Sequence, residues 1–275
     1  MQDTTKCKIC NDESKYVFSK TILNKHEGHY YRCSSCGFMQ LDNPHWFEEA
    51  YSDAITELDI GLVYRNLILK NKTEKLIGWF FKNKINSALD FGGGYGMFVR
   101  MMRDKGYNFY RQDSYCENIF AKHFDVNDID NISFDLLTAF ELFEHLVDPN
   151  QELKIMLKYS NLILFSTELQ PKESDKIKDW WYLTPETGQH LSFYTKESLK
   201  ILAEMNNLKY FEINNGLHLI TKENINHKKL KFLMSDKNIP NLLSKIFLPK
   251  SKSLLQKDYK FILNKINDRK LEKGD

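Results

Sequence analysis

Four cysteines and a run of glycines have spacings that could do chemistry. Cys7-x-x-Cys10 and Cys33-x-x-Cys36 form two pairs separated by 22 residues. Each pair has the spacing of a metal knuckle, and four thiolates complete a closed tetrahedral site. Such a site keeps no open coordination position, so Cys7, Cys10, Cys33 and Cys36 are expected to hold a structural Zn2+. His26 and His29 lie between the pairs and are the alternative ligands. The glycine run is Asp90-Phe91-Gly92-Gly93-Gly94-Tyr95-Gly96, directly after the apolar Ala88-Leu89, and Asp113 follows 21 residues after Gly92. Glycines let a backbone approach a ligand closely and take dihedrals that other residues avoid. An acid about 20 positions beyond such a turn can accept both hydroxyls of a ribose. The pattern reads as a nucleotide-type cofactor site. It lacks the GxGxxG order of a dinucleotide turn, because position 97 is Met97, which weighs against a nicotinamide cofactor. Cys116 has no base nearby in sequence and reads as packing or as a cofactor-pocket wall.

The elements that must position these residues change along the chain. Residues 1–41 read as a zinc ribbon, in which Tyr16-Val17-Phe18 and Tyr30-Tyr31-Arg32 flank the knuckles and Gly37 turns one of them. So small a segment buries too little core to stand alone, and a metal staple supplies the rest. Residues 42–84 read as a helical cap or lid, with apolar residues at three- and four-residue spacing and a break at Asp59-Ile60-Gly61. Residues 85–222 alternate. Strands are expected at Ser87–Phe91, Tyr107–Gln112, near His123–Val126, at Phe134–Phe140 and at Leu162–Ser166. Helices are expected at Tyr95–Lys105, Gln151–Tyr159 and Lys196–Glu204. Tyr210–Ile213 and His218–Thr221 read as a closing pair of strands. The fold class is therefore α/β: a Rossmann-like, mostly parallel sheet with helices on both faces, a small N-terminal zinc ribbon and a helical C-terminal tail. Residues 168–195 break the rhythm with a long connection rich in aromatic and hydrogen-bonding groups, among them Trp180, Trp181, Tyr182 and His190. Long ordered connections often carry function.

Residues 223–275 form a basic helical tail, with 13 Lys/Arg against 6 Asp/Glu, in a chain whose overall net charge is only +2. It reads as packed on the core or on a second subunit with a solvated basic face, or as an electrostatic dock for a phosphorylated substrate, an anionic polymer or a membrane surface. No apolar run reaches the ~20 residues needed to span a bilayer, and the polar N-terminus does not read as a signal peptide. A cytoplasmic enzyme is expected.

With these residues in view, the chain resembles the class I S-adenosylmethionine-dependent methyltransferases over roughly residues 60–222. Asp90–Gly96 resembles the first motif of that family and Asp113 its ribose-binding acid. Phe134–Leu146, which holds Glu141, Glu144 and His145, resembles its fourth-strand motif. The resemblance implies S-adenosylmethionine as cofactor, with Asp90, Gly92, Gly94, Gly96, Asp113, Tyr115 and Glu141 in its pocket and Tyr115 flanking the adenine. A cysteine-pair ribbon before this fold is similar to the zinc-containing sugar methyltransferases of polysaccharide and antibiotic pathways. Gly188-Gln189-His190-Leu191-Ser192-Phe193 resembles their segment that holds a catalytic histidine. Two features depart from them: Gln189 stands where the sugar C-methyltransferases carry Glu, and residues 223–275 do not resemble their large C-terminal sugar-nucleotide domain.

The implied function is transfer of a methyl group to a hydroxyl of a sugar or nucleotide-linked sugar. His190 is the first candidate for the base, since histidine titrates near neutral pH, and Glu141 and His145 are further catalytic candidates. Trp180, Trp181 and Tyr182 would offer flat faces to a sugar ring. Glu168 is a candidate polar contact, and Tyr51, Asp59 and Arg65 are candidate lid residues. C-methylation of a keto-sugar is the alternative. From another class, the chain could be a zinc-ribbon RNA-binding protein or RNA methyltransferase. Nucleic acid is disfavoured, because the basic residues gather in the tail.

Overall fold

The structure, a computed structural model, describes residues 3–52, 55–130, 132–173, 176–214, 216–248 and 251–272. The outermost residues of the expected ribbon and tail, 1–2 and 273–275, lie outside the described residues.

Two sheets make the frame. The first contains β1 (Thr4–Lys6), β2 (Glu13–Ile22), β3 (His26–Cys33) and β4 (Met39–Leu41), in antiparallel order. A fifth strand, β9 (Ser192–Phe193), joins β4 through Met39 opposite Phe193 and Gln40 opposite Ser192. The ribbon sheet is therefore completed by a strand from late in the chain. Gly37, at a φ of 71°, turns the second cysteine knuckle. Thr195 Oγ1 donates to the Cys36 carbonyl at 2.7 Å and Gln170 Nε2 to the Gly37 carbonyl at 2.9 Å.

The second sheet has the order β10-β11-β8-β7-β5-β6. Its members are β5 (Ala88–Phe91), β6 (Phe109–Gln112), β7 (Leu136–Phe140), β8 (Leu162–Ser166), β10 (Lys209–Asn214) and β11 (Leu217–Thr221). β5 runs parallel to β6 and β7, and β7 to β8, while β11 is antiparallel to both its neighbours. Alternate residues of these strands enter two cores, as the period-2 geometry of a strand requires. Leu89, Leu137, Ile163 and Phe165 pack with α4 (Pro149–Met156), α5 (Lys196–Glu204) and the cysteine knuckles. Ala88, Leu136, Leu162 and Leu164 pack with α2 (Leu62–Phe80), α3 (Met97–Asp104) and α6 (His227–Leu233). This is the expected mostly parallel sheet with helices on both faces. The cap segment adds α1 (Phe47–Ala50), and the tail adds α7 (Asn238–Phe247) and α8 (Leu255–Glu272).

One expected strand is absent as such. Near His123–Val126 the chain makes a single bridge, Arg111 to Asp125, followed by a 3-10 turn at Val126–Asp128. His123 takes a positive φ of 71°, and the Asp125 carboxylate is drawn to the Arg111 side chain at 2.7 Å, so the backbone turns instead of extending.

Candidate active site and cysteine cluster

A cavity of about 480 Å³ opens at the C-terminal ends of β5, β6 and β7. That is where an open α/β sheet places its ligands. The turn after β5 forms the floor. Gly92, Gly94 and Gly96 have φ values of 70°, 51° and 82°, a region that side chains with a Cβ disfavour. At Gly94 an added Cβ would meet only Ile55 Cδ1, at 3.6 Å, so the backbone lies bare to the cavity. At Gly96 the same Cβ would lie 2.6 Å from Asn118 Oδ1. Gly96 therefore serves close packing behind the turn, and Gly94 leaves its backbone open to the cavity.

Asp90 supports the turn from below. It is buried, accepts from Thr138 Oγ1 at 2.6 Å, and burial pushes its carboxyl up to about 7. Asp113 lies beside the turn. One of its oxygens accepts from Gly94 N at 2.9 Å and the other from Tyr115 N and Cys116 N, both at 2.8 Å. It thus ties the end of β6 to the glycine turn at the cavity wall. Tyr115 is 59% exposed and its ring lies 4.6 Å from that of Tyr51, across the cavity mouth. Cys116 lines the cavity with its thiol pushed up to about 11 by burial, which suits a wall and not a nucleophile.

Arg111 belongs to none of the sequence motifs. It is buried in β6, donates to Asp125 at 2.7 Å, and reaches the carbonyls of Gly94 at 2.6 Å and Cys116 at 2.9–3.0 Å. One guanidinium thereby fixes both loops of the cavity floor. The available signal is its place two residues after Phe109, on the buried face of an alternating strand, since arginine is rarely buried without acceptors.

The other end of the cavity is built from β7 and the connection after β8. Glu141, at the tip of β7, holds a positive φ of 49°. Its N–H donates to Ser166 Oγ at 2.8 Å, and that hydroxyl donates back to Glu141 Oε1 at 2.6 Å. Strained non-glycine backbone of this kind gathers at functional sites. A 3-10 turn at Phe143–His145 follows. Glu144 is fully buried, and neither carboxylate oxygen has a well-formed hydrogen bond among the described residues. Burial and the nearby Glu141 push its carboxyl up to about 8, against a smaller pull from the Tyr182 and Thr167 hydroxyls. Burial holds His145 well below the usual histidine range, and its Nδ1 meets the Tyr51 hydroxyl at 2.9 Å.

His190 Nδ1–H donates to the Tyr182 carbonyl at 2.7 Å. A carbonyl can only accept, so the proton is on Nδ1 and the Nε2 lone pair is the basic one. Burial pushes this imidazole down to about 4. Its ring stands edge-to-face with His145 at 4.8 Å, and ligand atoms of Glu144, His145 and His190 all lie within 4.8 Å of one another. The ribbon and the cap position this segment. Trp46 Nε1 donates to the Gly188 carbonyl at 3.0 Å, Leu41 N to the Leu191 carbonyl at 2.9 Å, and Gln189 Nε2 to the Ala50 carbonyl at 2.8 Å.

Two sequence candidates, Trp180 and Glu168, lie outside the cavity lining. Trp181 lines the cavity and is 71% exposed, but Trp180 packs inward against Tyr182 and Phe193. Tyr182 is buried and serves His190 through its backbone. Glu168 lies against Gly216, outside the cavity lining. Arg65 grips Asp59 with two bonds of 2.8 and 2.9 Å, and both line the cavity with Tyr51.

A family model described as a methyltransferase domain matches residues 64–213. The chain belongs to this methyltransferase-domain family. No curated protein matches it in sequence. Among solved structures, the methyltransferase is similar to the plantazolicin methyltransferase BpumL in complex with SAH, at 14% identity over 66% of this chain and 95% of that one, TM-score 0.45. It is also similar to the 1,6-didemethyltoxoflavin-N1-methyltransferase of Burkholderia thailandensis, at 13% identity over 70% and 93%, TM-score 0.43. A third is CalO1 of calicheamicin biosynthesis, at 15% identity over 64% and 61%, TM-score 0.41.

Cys7, Cys10, Cys33 and Cys36 form a cluster. Sulfur separations are 3.6 Å for Cys7–Cys36, 3.4 Å for Cys10–Cys33 and 3.6 Å for Cys10–Cys36. A tetrahedral zinc site with ~2.3 Å zinc–sulfur bonds sets its sulfurs about 3.8 Å apart, so the cluster has the right size and donor set. His26 is turned away to Glu49 at 3.0 Å, and His29 is not part of the cluster.

Proposed function

We propose that this methyltransferase, a cytoplasmic enzyme, moves the methyl group of S-adenosylmethionine to a hydroxyl of a small acceptor, a sugar or nucleotide-linked sugar. The observation that carries the reading is one cavity joining the glycine turn and Asp113 to a histidine with a fixed tautomer and an available Nε2. The bare backbone at Gly94 and the carboxylate of Asp113 fit the cofactor, with Asp113 facing the ribose and Tyr115 the adenine. The cofactor supplies an electrophilic methyl group on a sulfonium. The protein's part is to hold the acceptor oxygen in line, at ~3–3.5 Å from that carbon, and to take its proton. As the new carbon–oxygen bond forms and the sulfur–carbon bond breaks, the hydroxyl proton passes to His190 Nε2. Glu144, the carboxylate grouped with His190 and His145, is the counter-charge for the resulting imidazolium, and the Asp59 carboxylate adds to it. Trp181 offers the exposed aromatic face for an acceptor ring.

Oxygen is favoured over carbon as the acceptor. The side chain at 189 is an amide engaged with the Ala50 carbonyl, so it supplies no second base. The cysteine cluster would hold a structural Zn2+ that steadies β4 and β9, and through them His190. The test is transfer of tritium from labelled S-adenosylmethionine to a panel of nucleotide sugars. Labelled product is expected, with His190→Ala lowering turnover about 10²–10³-fold while S-adenosylhomocysteine affinity stays within about threefold. No labelled sugar across the panel would remove the sugar assignment.

A further inference from the structure

The methyl-transfer reading leaves the tail unused. α7 lies on α2: Lys75 Nζ donates to Asn241 Oδ1 at 2.6 Å and Trp79 Nε1 to Ser244 Oγ at 3.4 Å. α8 is pinned by Asp258, 2% exposed, which accepts from Arg103 at 2.7 and 2.8 Å and from Arg100 at 3.0 Å. Each helix leaves an apolar stripe in solvent. On α7 it is Ile239, Leu242 and Ile246, exposed by 64, 58 and 62%. On α8 the exposed residues Leu255, Tyr259, Leu263 and Ile266 recur every four, four and three positions, which places them on one side of a helix. The sequence of this segment is one-sided in charge. Residues 237–272 carry nine Lys/Arg and three acids, and the acid Asp258 is already neutralised in the core. Lys252, Lys257 and Lys260 are exposed.

We propose that the exposed stripes of α7 and α8 dock on the surface of an anionic lipid bilayer. Their aliphatic residues would enter the boundary between headgroups and acyl chains, and the lysines of the tail would meet the anionic headgroups. The charge complementarity selects this occupant. A second copy would set one strongly positive face against another, and a nucleic-acid backbone offers nothing to a stripe of isoleucine and leucine. The inference stands independently of the acceptor and of the cofactor.

Full-length protein is pelleted with sucrose-loaded vesicles, either of phosphatidylcholine alone or with one-third phosphatidylglycerol. Binding to the anionic vesicles is expected, and about tenfold weaker binding when salt is raised from about 50 to about 300 mM. Lys257→Gln with Lys260→Gln is expected to weaken it about 25-fold, about fivefold for each lysine. Leu242→Glu with Ile246→Glu is expected to abolish pelleting while circular dichroism and S-adenosylhomocysteine binding are unchanged. Equal binding to neutral vesicles, no pelleting at all, or pelleting indifferent to the two glutamates would overturn the proposal. So would a dimer that Leu242→Glu dissolves, or tighter binding to polyuridylate than to the vesicles.

Discussion

Replacing Glu144 by Gln gives a test whose size can be worked out from the structure. The carboxyl is fully buried and shifted from 4.5 to about 8. Because its folded value is raised, the folded protein keeps a proton that the unfolded chain gives up. The stabilisation is complete below pH 4.5 and is lost as pH climbs towards 8, at about 1.4 kcal/mol per pH step. Between pH 5 and pH 8 the wild type therefore loses about 4 kcal/mol from this one group. Glu144→Gln cannot ionise and escapes that loss. Its amide brings a cost of about 1–3 kcal/mol for unmatched donors, but that cost is the same at both pH values and cancels in the comparison. Urea unfolding at pH 5 and pH 8 is the assay. The variant should gain about 4 kcal/mol relative to wild type between the two. Activity should move the other way: kcat/KM of the wild type should rise with pH up to about 8 as Glu144 ionises beside His190, and the variant should lack that limb. Stability curves parallel within about 1 kcal/mol would refute both the burial argument and the counter-charge role.

Other outcomes follow from the same geometry. His190 is pushed down to about 4, so in Glu144→Gln the acid limb of kcat/KM should fall near pH 4 and not near 6.5; a limb at 6.5 would place the base elsewhere. Arg111→Met leaves Asp125 and two loop carbonyls without their cation, and urea unfolding should register a loss of about 3–5 kcal/mol together with weaker S-adenosylhomocysteine binding. Cys33→Ser, or a strong chelator, should remove one zinc per chain by atomic emission. It should also lower the melting temperature by about 10 °C or more and reduce turnover, because β4 and β9 carry the metal site's rigidity to His190.

Local patterns were legible in the sequence, and long-range closures were not. The strand, glycine turn and helix at 88–104 are consecutive, so hydrophobic period and glycine chemistry sufficed to read them. The cysteine knuckles declare their partners by spacing, and the sulfurs do converge to 3.4–3.6 Å. By contrast, the Trp46–Gly188 bond joins residues 142 apart, and β9 enters the ribbon sheet from a position that nothing in its two residues announces. Trp180 and Trp181 are adjacent and alike in sequence, and only tertiary packing sends one inward and leaves the other at the cavity mouth. The expected strand near His123–Val126 failed for a related reason: Arg111 claims Asp125, and that tertiary ion pair overrides local strand propensity. The spacing of Asp113 predicts reach to a ribose, yet its carboxylate is also spent on Gly94, Tyr115 and Cys116.

The most direct measurement is calorimetric titration of the purified protein with S-adenosylhomocysteine, with NAD as the control. Micromolar affinity for S-adenosylhomocysteine is predicted, with no NAD binding, and Asp113→Ala should weaken that affinity at least about tenfold through the loss of charged hydrogen bonds. Binding of NAD, or no binding of S-adenosylhomocysteine by the folded protein, would contradict the assignment of the cofactor.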